Sequence, residues 1–322
     1  MNAYQRSGAL KAAIELEVFT AIGEGKTTGP SIASRCQTSE RGMRILCDYL
    51  VIIGFLTKDG NTYGLTQDSA LFLDRRSPAY MGTAARFLAS PTLVDAYKDV
   101  AAIVRKGGEV FSAHGTMDPD HPVWVEFARS MAPMMAMPAE AIAKLAGAEK
   151  GSPWKVLDIA AGHGLFGIAI ARLNPNATIV AVDWTRVLDV AREHAVSAGV
   201  GSRYQVLPGS AFEVEFGEGY DIVLLTNFLH HFDPPTCETL LRKVSAALKP
   251  GGRAITFEFV PNEDRISPPT AAAFSMVMLG TTEGGDAYTF SEFDRMFRNS
   301  GFGASEIHQL PPSPGQVIIS QK

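Results

Sequence analysis

The chain has 322 residues, of which 46% are hydrophobic and 20% are charged, and its formal net charge at pH 7 is −5. This composition is typical of a folded globular protein and excludes a disordered or fibrous chain. A negatively charged chain gains no counterion-release energy on nucleic acid, so we expect no nucleic-acid partner. No apolar run approaches the ~20 residues that span a bilayer. Charged residues also interrupt the apolar pattern near the N-terminus, where the h-region of a secretory signal would be uncharged. We therefore expect a cytoplasmic protein that has no membrane partner and binds no metal.

The first 85 residues are predicted to form a mostly helical domain. Apolar residues recur at helical spacing around Ala13, and a second helix is expected from Pro30. A third helix is expected from Ser39 to a C-cap at Gly54, and Asp59-Gly60-Asn61 then predicts a β-hairpin. Three helices followed by a hairpin are typical of a winged helix. Because the third helix is mostly apolar and carries charges of both signs, we interpret the domain as a dimerisation domain rather than a DNA-binding one.

Residues 86–150 are expected to form a helical linker that also contributes a wall of a substrate pocket. Phe127 and Met131 lie here, close to the further methionines Met134, Met135 and Met137. Methionines at helical spacing are most often core residues, but the side chain is adaptable and also lines pockets for flat organic ligands. Both interpretations stay open for the individual methionines.

From residue 151 to residue 322, predicted strands and helices alternate. Five strands are expected at 155–160, 179–183, 204–208, 221–225 and 253–260. The helices between them are expected at 165–173, 186–198 and 236–248. Two last strands, 305–310 and 316–320, predict an antiparallel pair. The predicted fold class is therefore α/β, a Rossmann-like doubly wound sheet with a terminal antiparallel hairpin. In the chain, this domain follows the mostly helical N-terminal winged-helix domain.

A glycine-rich loop follows the first of these strands. Asp158 closes the strand, Gly162 and Gly164 lie in the loop, and a helix begins immediately after them. Small residues let a ligand approach the backbone, and free N–H groups at a helix N-terminus favour ligand oxygens. Asp183, at the end of the next strand, stands where a carboxylate accepts hydrogen bonds from both hydroxyls of a ribose. Together these residues predict a nucleoside-bearing cofactor.

The spacing Asp158-x-Ala160-x-Gly162-x-Gly164 resembles the D/E-x-G-x-G-x-G signature of class I S-adenosylmethionine-dependent methyltransferases. A second motif, Leu229-His230-His231-Phe232-Asp233, follows the fourth strand. With the winged helix, it resembles the small-molecule O-methyltransferases that dimerise through such a domain, a family that includes caffeate-type, acetylserotonin and antibiotic-tailoring enzymes. The resemblance implies S-adenosyl-L-methionine as cofactor, a small-molecule acceptor, and a homodimer formed through the N-terminal domain.

In that family a histidine after the fourth strand is the general base, and His230 matches it, while His231 takes the place of the following aspartate. A neutral imidazole, with an ordinary pKa of about 6.5, can take the proton of a phenol as its oxygen attacks. Glu258, at the end of the fifth strand, matches a family glutamate and would hold the imidazole in the required tautomer. We therefore predict His230 and Glu258 as catalytic residues for methyl transfer to a hydroxyl of an aromatic or polyketide-like small molecule.

The resemblance also implies residues that bind the cofactor and the acceptor. Trp184 would cover one face of the adenine, and Phe212 would lie near the other. Phe127 and Met131 match family positions on the acceptor wall, to which Met278 is added. The implied cofactor-binding residues are Asp158, Gly162, Gly164, Asp183, Trp184, Ser210, Ala211, Phe212 and Asn227.

Three positions depart from the family pattern. Ala160 replaces a glycine, which is acceptable if its φ is negative. Ser210 stands in place of an aspartate that contacts the adenine, so adenine recognition is expected to be weaker or to use the backbone. Where many members supply a second carboxylate to the base, this chain has Ala287 with Asp286 beside it.

Two alternatives stay open. The same fold also methylates carbon or nitrogen, and His230 does not discriminate, since a base also serves carbon methylation. A non-catalytic winged-helix regulator that binds the cofactor is the second alternative, and the acidic pI of about 5.8 argues against it. A dehydrogenase is disfavoured because the predicted terminal hairpin is unlike that fold.

Overall fold

The computed structural model describes residues 2–110 and 121–322. The chain divides into two compact units, Met1–Pro91 and Thr92–Lys322. The predicted helical region 86–150 includes residues 111–120, which lie outside the described residues. Within the described ranges, no helix combines the length and the apolar character needed to cross a bilayer.

The first unit consists of helices and one hairpin. Its described elements are α1 (Ala3–Glu15), α2 (Val18–Gly23), α3 (Gly29–Arg35), α4 (Glu40–Ile52), β1 (Leu56–Asp59), β2 (Thr62–Leu65), α5 (Gln67–Phe72) and α6 (Ala84–Leu88). The strands β1 and β2 pair antiparallel across a turn at residues 60 and 61, which confirms the predicted hairpin.

The first predicted helix is in fact two helices. Glu17 adopts the left-handed backbone conformation, with φ 58°, between α1 and α2. Its carboxylate pairs with Arg35 at 3.3 Å and with Arg75 at 3.1 Å. Apolar spacing does not reveal such contacts, so the pattern predicted one helix where the chain turns. The unit therefore has one more helix before the hairpin than a three-helix winged-helix pattern predicts.

The third predicted helix, α4, has the expected ends. The Ser39 hydroxyl accepts a hydrogen bond from the Gly42 N–H at 3.1 Å, which caps the N-terminus. After the last turn, Gly54 has φ 84°, a conformation that glycine adopts without steric cost. The helix buries Met43 and Leu50 in the core of the unit, so its apolar face packs inward.

The second unit contains the remaining elements. These are α7 (Pro91–Asp95), α8 (Val100–Lys106), α9 (Pro122–Leu145), β3 (Lys155–Ile159), α10 (Leu165–Leu173), β4 (Thr178–Asp183), α11 (Thr185–Ser197), β5 (Tyr204–Pro208), β6 (Tyr220–Thr226), α12 (Pro234–Ala247), β7 (Leu248–Glu258), α13 (Pro269–Thr281), α14 (Phe290–Asn299), β8 (Ser305–Gln309) and β9 (Gln316–Gln321). Helix α9 packs on α10 and α11, so the helical segment and the sheet share one unit.

A seven-stranded sheet organises the described part of this unit, in the order β5-β4-β3-β6-β7-β9-β8. The five strands β3 to β7 run parallel, and β9 pairs antiparallel with both β7 and β8. This confirms the predicted α/β class and the terminal antiparallel hairpin. The strand order reverses between β3 and β6. In doubly wound sheets a ligand crevice opens at such a point, outside the carboxyl ends of the strands.

Candidate active site

The glycine-rich loop lies at the carboxyl end of β3, where the strand order reverses. Gly162 and Gly164 have φ values of 56° and 75°, in the left-handed region that favours glycine. A Cβ at position 164 would lie 2.6 Å from the Tyr204 hydroxyl and 2.9 Å from the Ala191 Cβ. The inner side of the loop is therefore packed too tightly for any larger residue.

Ala160, which replaces a glycine of the family pattern, does not have the negative φ that would make an alanine acceptable there. Its φ is 52°, so an alanine occupies the left-handed conformation at the entrance to the loop. For an L-residue this conformation costs about 1–2 kcal/mol, because Cβ approaches the following carbonyl oxygen. The condition of a negative φ is therefore not met, and the loop holds local backbone strain.

We expect the substitution Ala160→Gly to stabilise the second unit by up to about 1 kcal/mol. Relief of the left-handed strain exceeds the roughly 0.4–1 kcal/mol that glycine's greater freedom in the unfolded chain costs. Chemical denaturation followed by tryptophan fluorescence measures the change in the free energy of unfolding. Ala161→Gly is the matched control, since Ala161 is buried and has no positive φ, and it is expected to destabilise. A lower stability for Ala160→Gly would contradict this description of the loop.

Asp183 joins the end of β4 to this loop. One carboxylate oxygen accepts the Gly162 N–H at 2.8 Å, and the other accepts the Trp184 N–H at 2.7 Å. Desolvation raises the pKa of Asp183 to about 6, although both N–H donors oppose the rise. The carboxylate thus lies beside the loop glycine, as the sequence predicted from the ends of consecutive strands.

Asp158 lies behind the loop rather than at its surface. It is completely buried, and its Oδ2 accepts the Gly167 N–H of α10 at 3.1 Å. Its Oδ1 has no hydrogen-bond partner among the described residues. Burial raises the pKa of Asp158 to about 8. The Asp158 carboxylate therefore contacts the first turn of α10 directly.

Phe127, predicted on the acceptor wall, lies against the glycine-rich loop. Its ring stacks on that of His163 at a centroid distance of 6.2 Å, and a Cβ at Gly162 would come 3.4 Å from its Cε1. Burial lowers the pKa of His163 to about 3, so this imidazole is neutral at pH 7. Phe127 and His163 together form an uncharged aromatic cover beside the loop. His163 was not among the predicted site residues, although its place between two loop glycines was a usable signal.

The next predicted cofactor residues lie directly after the carboxyl ends of β4 and β5. Trp184 is the N-cap residue of α11, and it packs, like Trp124 of α9, against a small cluster that includes Val187. Phe212 contacts Phe232 edge to face, with ring centroids 5.0 Å apart. Ser210 and Ala211 lie with Phe212 in the loop after β5. The Ser210 hydroxyl accepts the Phe212 N–H at 3.2 Å, so its local partner is the loop backbone.

His230 and Glu258 meet at the carboxyl ends of β6 and β7. His230 Nδ1 lies 2.5 Å from Glu258 Oε2, and both side chains are buried. The other carboxylate oxygen, Oε1, accepts the N–H groups of Phe228 and Leu229, each at 2.9 Å. The glutamate therefore fixes both the backbone of the loop and the imidazole that the loop carries. With Nδ1 bound to Glu258, Nε2 is the ring nitrogen that can accept a proton from a ligand.

Asn227, between β6 and this loop, takes the left-handed conformation with φ 53°. Its N–H donates to the Phe257 carbonyl at 2.8 Å, and its side-chain Nδ2 lies 3.9 Å from the Met135 sulfur. Asparagine tolerates this conformation better than most residues. Asn227 thereby turns the chain from β6 into the segment that carries His230.

Aromatic rings surround the imidazole of His230. The Phe274 ring of α13 contacts it edge to face at 4.9 Å and stacks on Phe259 at 4.2 Å. The ring centroid of His231 lies 4.3 Å from that of His230 and 5.3 Å from that of Trp124, which it contacts edge to face. Burial lowers the pKa of His231, so we interpret it as a neutral packing residue. Phe274 was not among the predicted site residues, because the sequence of α13 has no motif that distinguishes one apolar residue from another.

Two of the predicted acceptor residues are buried. Met131, on α9, is 7% exposed, and Met278, on α13, is 3% exposed.

Asp286 pairs with Arg265 at 3.1 Å and accepts the Ala287 N–H. Its carboxylate is thus engaged with the segment around Arg265, and Glu258 is the carboxylate that contacts His230.

These residues fit a nucleoside-bearing cofactor. Gly162 and Gly164 leave the loop backbone without side chains, and Asp183 brings a carboxylate beside it. Each Asp183 oxygen keeps a second lone pair beyond the N–H that it accepts, as two ribose hydroxyls require. Among the described residues, no group of three or more His, Cys, Asp and Glu side chains could hold a metal ion.

Comparison with known families agrees with this geometry. An O-methyltransferase domain matches residues 97–303, which is more than half of the chain. An O-methyltransferase dimerisation domain matches residues 1–75. The two domains together confirm the resemblance that the loop, the histidine motif and the N-terminal domain suggested.

Individual relatives match over nearly the whole chain. A crystal structure from Nostoc punctiforme, of a protein assigned to the O-methyltransferases, is 59% identical with a TM-score of 0.97 and covers 100% of this chain and 97% of that one. The Serratia enzyme PigF, solved with S-adenosylhomocysteine, is 26% identical with a TM-score of 0.85, covering 100% and 97%. The 3-hydroxy-5-methyl-1-naphthoate 3-O-methyltransferase of Streptomyces sahachiroi is 26% identical over 96% of this chain and 89% of its own. The chain therefore belongs to the family of S-adenosylmethionine-dependent O-methyltransferases that carry an N-terminal dimerisation domain.

Proposed function

We propose that this enzyme transfers a methyl group from S-adenosyl-L-methionine to a hydroxyl of a planar aromatic or polyketide-like small molecule, with His230 as general base. The observation that carries the proposal is the buried pair of His230 Nδ1 and Glu258 Oε2, 2.5 Å apart, at the same carboxyl edge of the parallel strands as the glycine-rich loop and Asp183. When bound, the cofactor would supply an electrophilic methyl group on a sulfonium sulfur, and loss of that methyl group would break the sulfur–carbon bond and leave S-adenosylhomocysteine as the neutral thioether product.

The cofactor would be held by residues at the ends of β3, β4 and β5. Asp183 would accept the ribose hydroxyls, and the backbone of Gly162 and Gly164 would lie against the nucleoside. Phe212 and Trp184 would flank the adenine. Ser210 would contribute less than the family aspartate does, since a hydroxyl lacks the charge that strengthens a hydrogen bond to an amine.

The proton of the acceptor hydroxyl would pass to His230 Nε2 as the oxygen attacks the methyl carbon. Glu258 supports this transfer in two ways. It keeps the proton of the neutral imidazole on Nδ1, which leaves Nε2 as an acceptor, and it stabilises the imidazolium that forms. Burial removes competing water from the pair, so the hydrogen bond is stronger than it would be in solvent.

The aromatic surroundings of His230 favour a flat acceptor. Phe259 and Phe274 stack on each other beside the imidazole, and Phe127 adds a third ring near the loop. Aromatic side chains gain about 0.5–1.5 kcal/mol from ring contacts beyond the area that they bury. Hydroxynaphthoate-like phenols present both a ring to stack and a hydroxyl to deprotonate.

A paired-substrate assay tests this acceptor class. Turnover is expected with a hydroxynaphthoate in the presence of S-adenosylmethionine, and none is expected with the same compound after saturation of its rings. Equal turnover of the flat and the saturated compound would contradict an aromatic acceptor.

We expect Asp183→Asn to weaken S-adenosylhomocysteine binding by about 10- to 100-fold, because the hydrogen bonds lose a charged acceptor. Since the pKa of Asp183 is raised to about 6, wild-type affinity is also expected to fall as the pH drops below about 6. The Asn variant should not show the part of that fall that protonation of Asp183 causes. Calorimetric titration measures both effects, with NAD as a ligand that should not bind.

Asp189→Asn is the matched control for this experiment. Asp189 lies on α11, exposed, where it pairs with Arg192 at 3.6 Å. Its substitution is expected to leave affinity unchanged. If Asp183→Asn bound S-adenosylhomocysteine as tightly as the wild type, Asp183 would not be the ribose residue.

The homodimer is proposed to form through the N-terminal unit. That unit exposes Tyr4 at 71% and Ile52 at 78%, and it has a groove of about 330 Å³ next to Ile45 and Tyr49. The match of an O-methyltransferase dimerisation domain to residues 1–75 supports this assignment. Light scattering of the purified protein is expected to give twice the chain mass of 34.6 kDa, and a monomer at micromolar concentration would contradict the assignment.

A further inference from the structure

We propose that Lys243 is a positioning residue for cofactor binding, because it holds the loop of residues 209–216 on which the adenine is proposed to rest. This inference rests on the proposed function, since that loop carries Ser210, Ala211 and Phe212. Lys243 lies on α12, which follows residues 209–216 in the chain, whereas the glycine-rich loop precedes them. No sequence motif includes Lys243.

Lys243 makes two hydrogen bonds to this loop. Its Nζ donates to the Ala211 carbonyl at 3.1 Å and to the Val214 carbonyl at 2.5 Å. The ammonium also lies 4.3 Å from the centroid of the Phe216 ring. Burial lowers the pKa of the lysine, yet the two carbonyl oxygens and the ring face provide the partners that a half-buried cation needs.

The loop needs such support because its own side chains supply little. Ser210, in place of the family aspartate, binds the Phe212 N–H within the loop. Adenine recognition then depends on the loop backbone and on the Phe212 ring, whose positions follow from the conformation of the loop. A backbone held from outside loses less conformational entropy when the ligand binds, which raises affinity.

Helix α12 also supports the segment that carries the base. Cys237, in the first turn of the helix, donates a hydrogen bond from its thiol to the Leu229 carbonyl at 3.2 Å. The rings of Phe212 and Phe232 join the two segments directly. One helix therefore fixes the adenine loop through Lys243 and the His230 segment through Cys237.

Lys243→Met tests the proposal, because methionine keeps an apolar chain over Phe216 and removes both hydrogen bonds. We expect S-adenosylhomocysteine binding to weaken by about 10-fold or more, while kcat at saturating S-adenosylmethionine stays within about twofold of the wild type. Lys243→Arg, which keeps the charge and N–H donors, is expected to recover part of the affinity. Arg242→Met is the matched control, since the neighbouring Arg242 is exposed and pairs with Glu238.

Hydrogen exchange of residues 209–216 in the ligand-free protein provides a readout that needs no cofactor. Faster exchange of this segment in Lys243→Met, with unchanged exchange elsewhere in the sheet, supports a positioning role. Unchanged exchange together with unchanged affinity would overturn it. If the wild type failed to bind S-adenosylhomocysteine, the proposed cofactor site would fall, whereas the exchange experiment would still decide whether Lys243 holds the loop.

Discussion

Replacing His230 by alanine is expected to lower kcat by about 10²–10⁴-fold, the usual contribution of a positioned general base. Without the imidazole, the acceptor hydroxyl would have no positioned base to take its proton as its oxygen attacks. Cofactor affinity is expected to stay within a few-fold of wild type, because the proposed ribose and adenine contacts lie at the ends of β4 and β5. Initial rates and calorimetric titration with S-adenosylhomocysteine separate the two effects.

His308→Ala serves as the control for this substitution. His308 lies on β8, in the terminal hairpin, where its nearest charged partner is Glu306 at 3.6 Å. This variant is expected to retain wild-type activity, which excludes a general effect of histidine loss. A His230→Ala enzyme with the full wild-type rate would end the general-base assignment, even if the cofactor site were correct.

Replacing Glu258 by glutamine is expected to lower kcat by at least about 100-fold, and by up to about 10⁴-fold if tautomer control dominates. The glutamine carbonyl can still accept the Phe228 and Leu229 N–H groups, so the loop should keep its shape. Its amide nitrogen, however, would donate to His230 Nδ1. The imidazole proton would then move to Nε2, which could no longer accept the proton of the hydroxyl.

The double variant His230→Ala/Glu258→Gln distinguishes this role from a structural one. If Glu258 acts on the reaction through His230, the double variant is expected to be no slower than His230→Ala alone. Rate losses that multiply would mean that the glutamate contributes independently of the histidine. Near-ultraviolet circular dichroism of Glu258→Gln checks that the packing of the site is preserved.

Much of the fold follows from patterns that are local in the chain. The strands β3 and β6 are short apolar runs bounded by polar or glycine residues, and α4 has both its capping serine and its terminal glycine. The break at Glu17 is different, because it depends on ion pairs with Arg35 and Arg75, which lie far along the chain. The left-handed Ala160 is likewise imposed by the turn between β3 and the glycine-rich loop, against the residue's own preference.

The candidate site was predictable where a strand end fixes a residue. Asp183 and Glu258 both close strands, so their places at the crevice follow from the parallel sheet alone. The contacts of Phe127, Phe274 and Lys243 depend on how helices pack on that sheet, which single-sequence patterns do not specify. Phe127 was assigned to the acceptor wall, and the structure brings its ring against His163 of the loop.

The most direct measurement is nuclear magnetic resonance of the product formed with S-adenosylmethionine labelled at its methyl carbon and a hydroxynaphthoate acceptor. Transfer assisted by a base at the hydroxyl predicts a single labelled signal with the chemical shift of an O-methyl group, and its loss in His230→Ala. A labelled methyl group on a ring carbon or a nitrogen would contradict the proposed reaction, and an unchanged O-methyl signal in His230→Ala would contradict the proposed base.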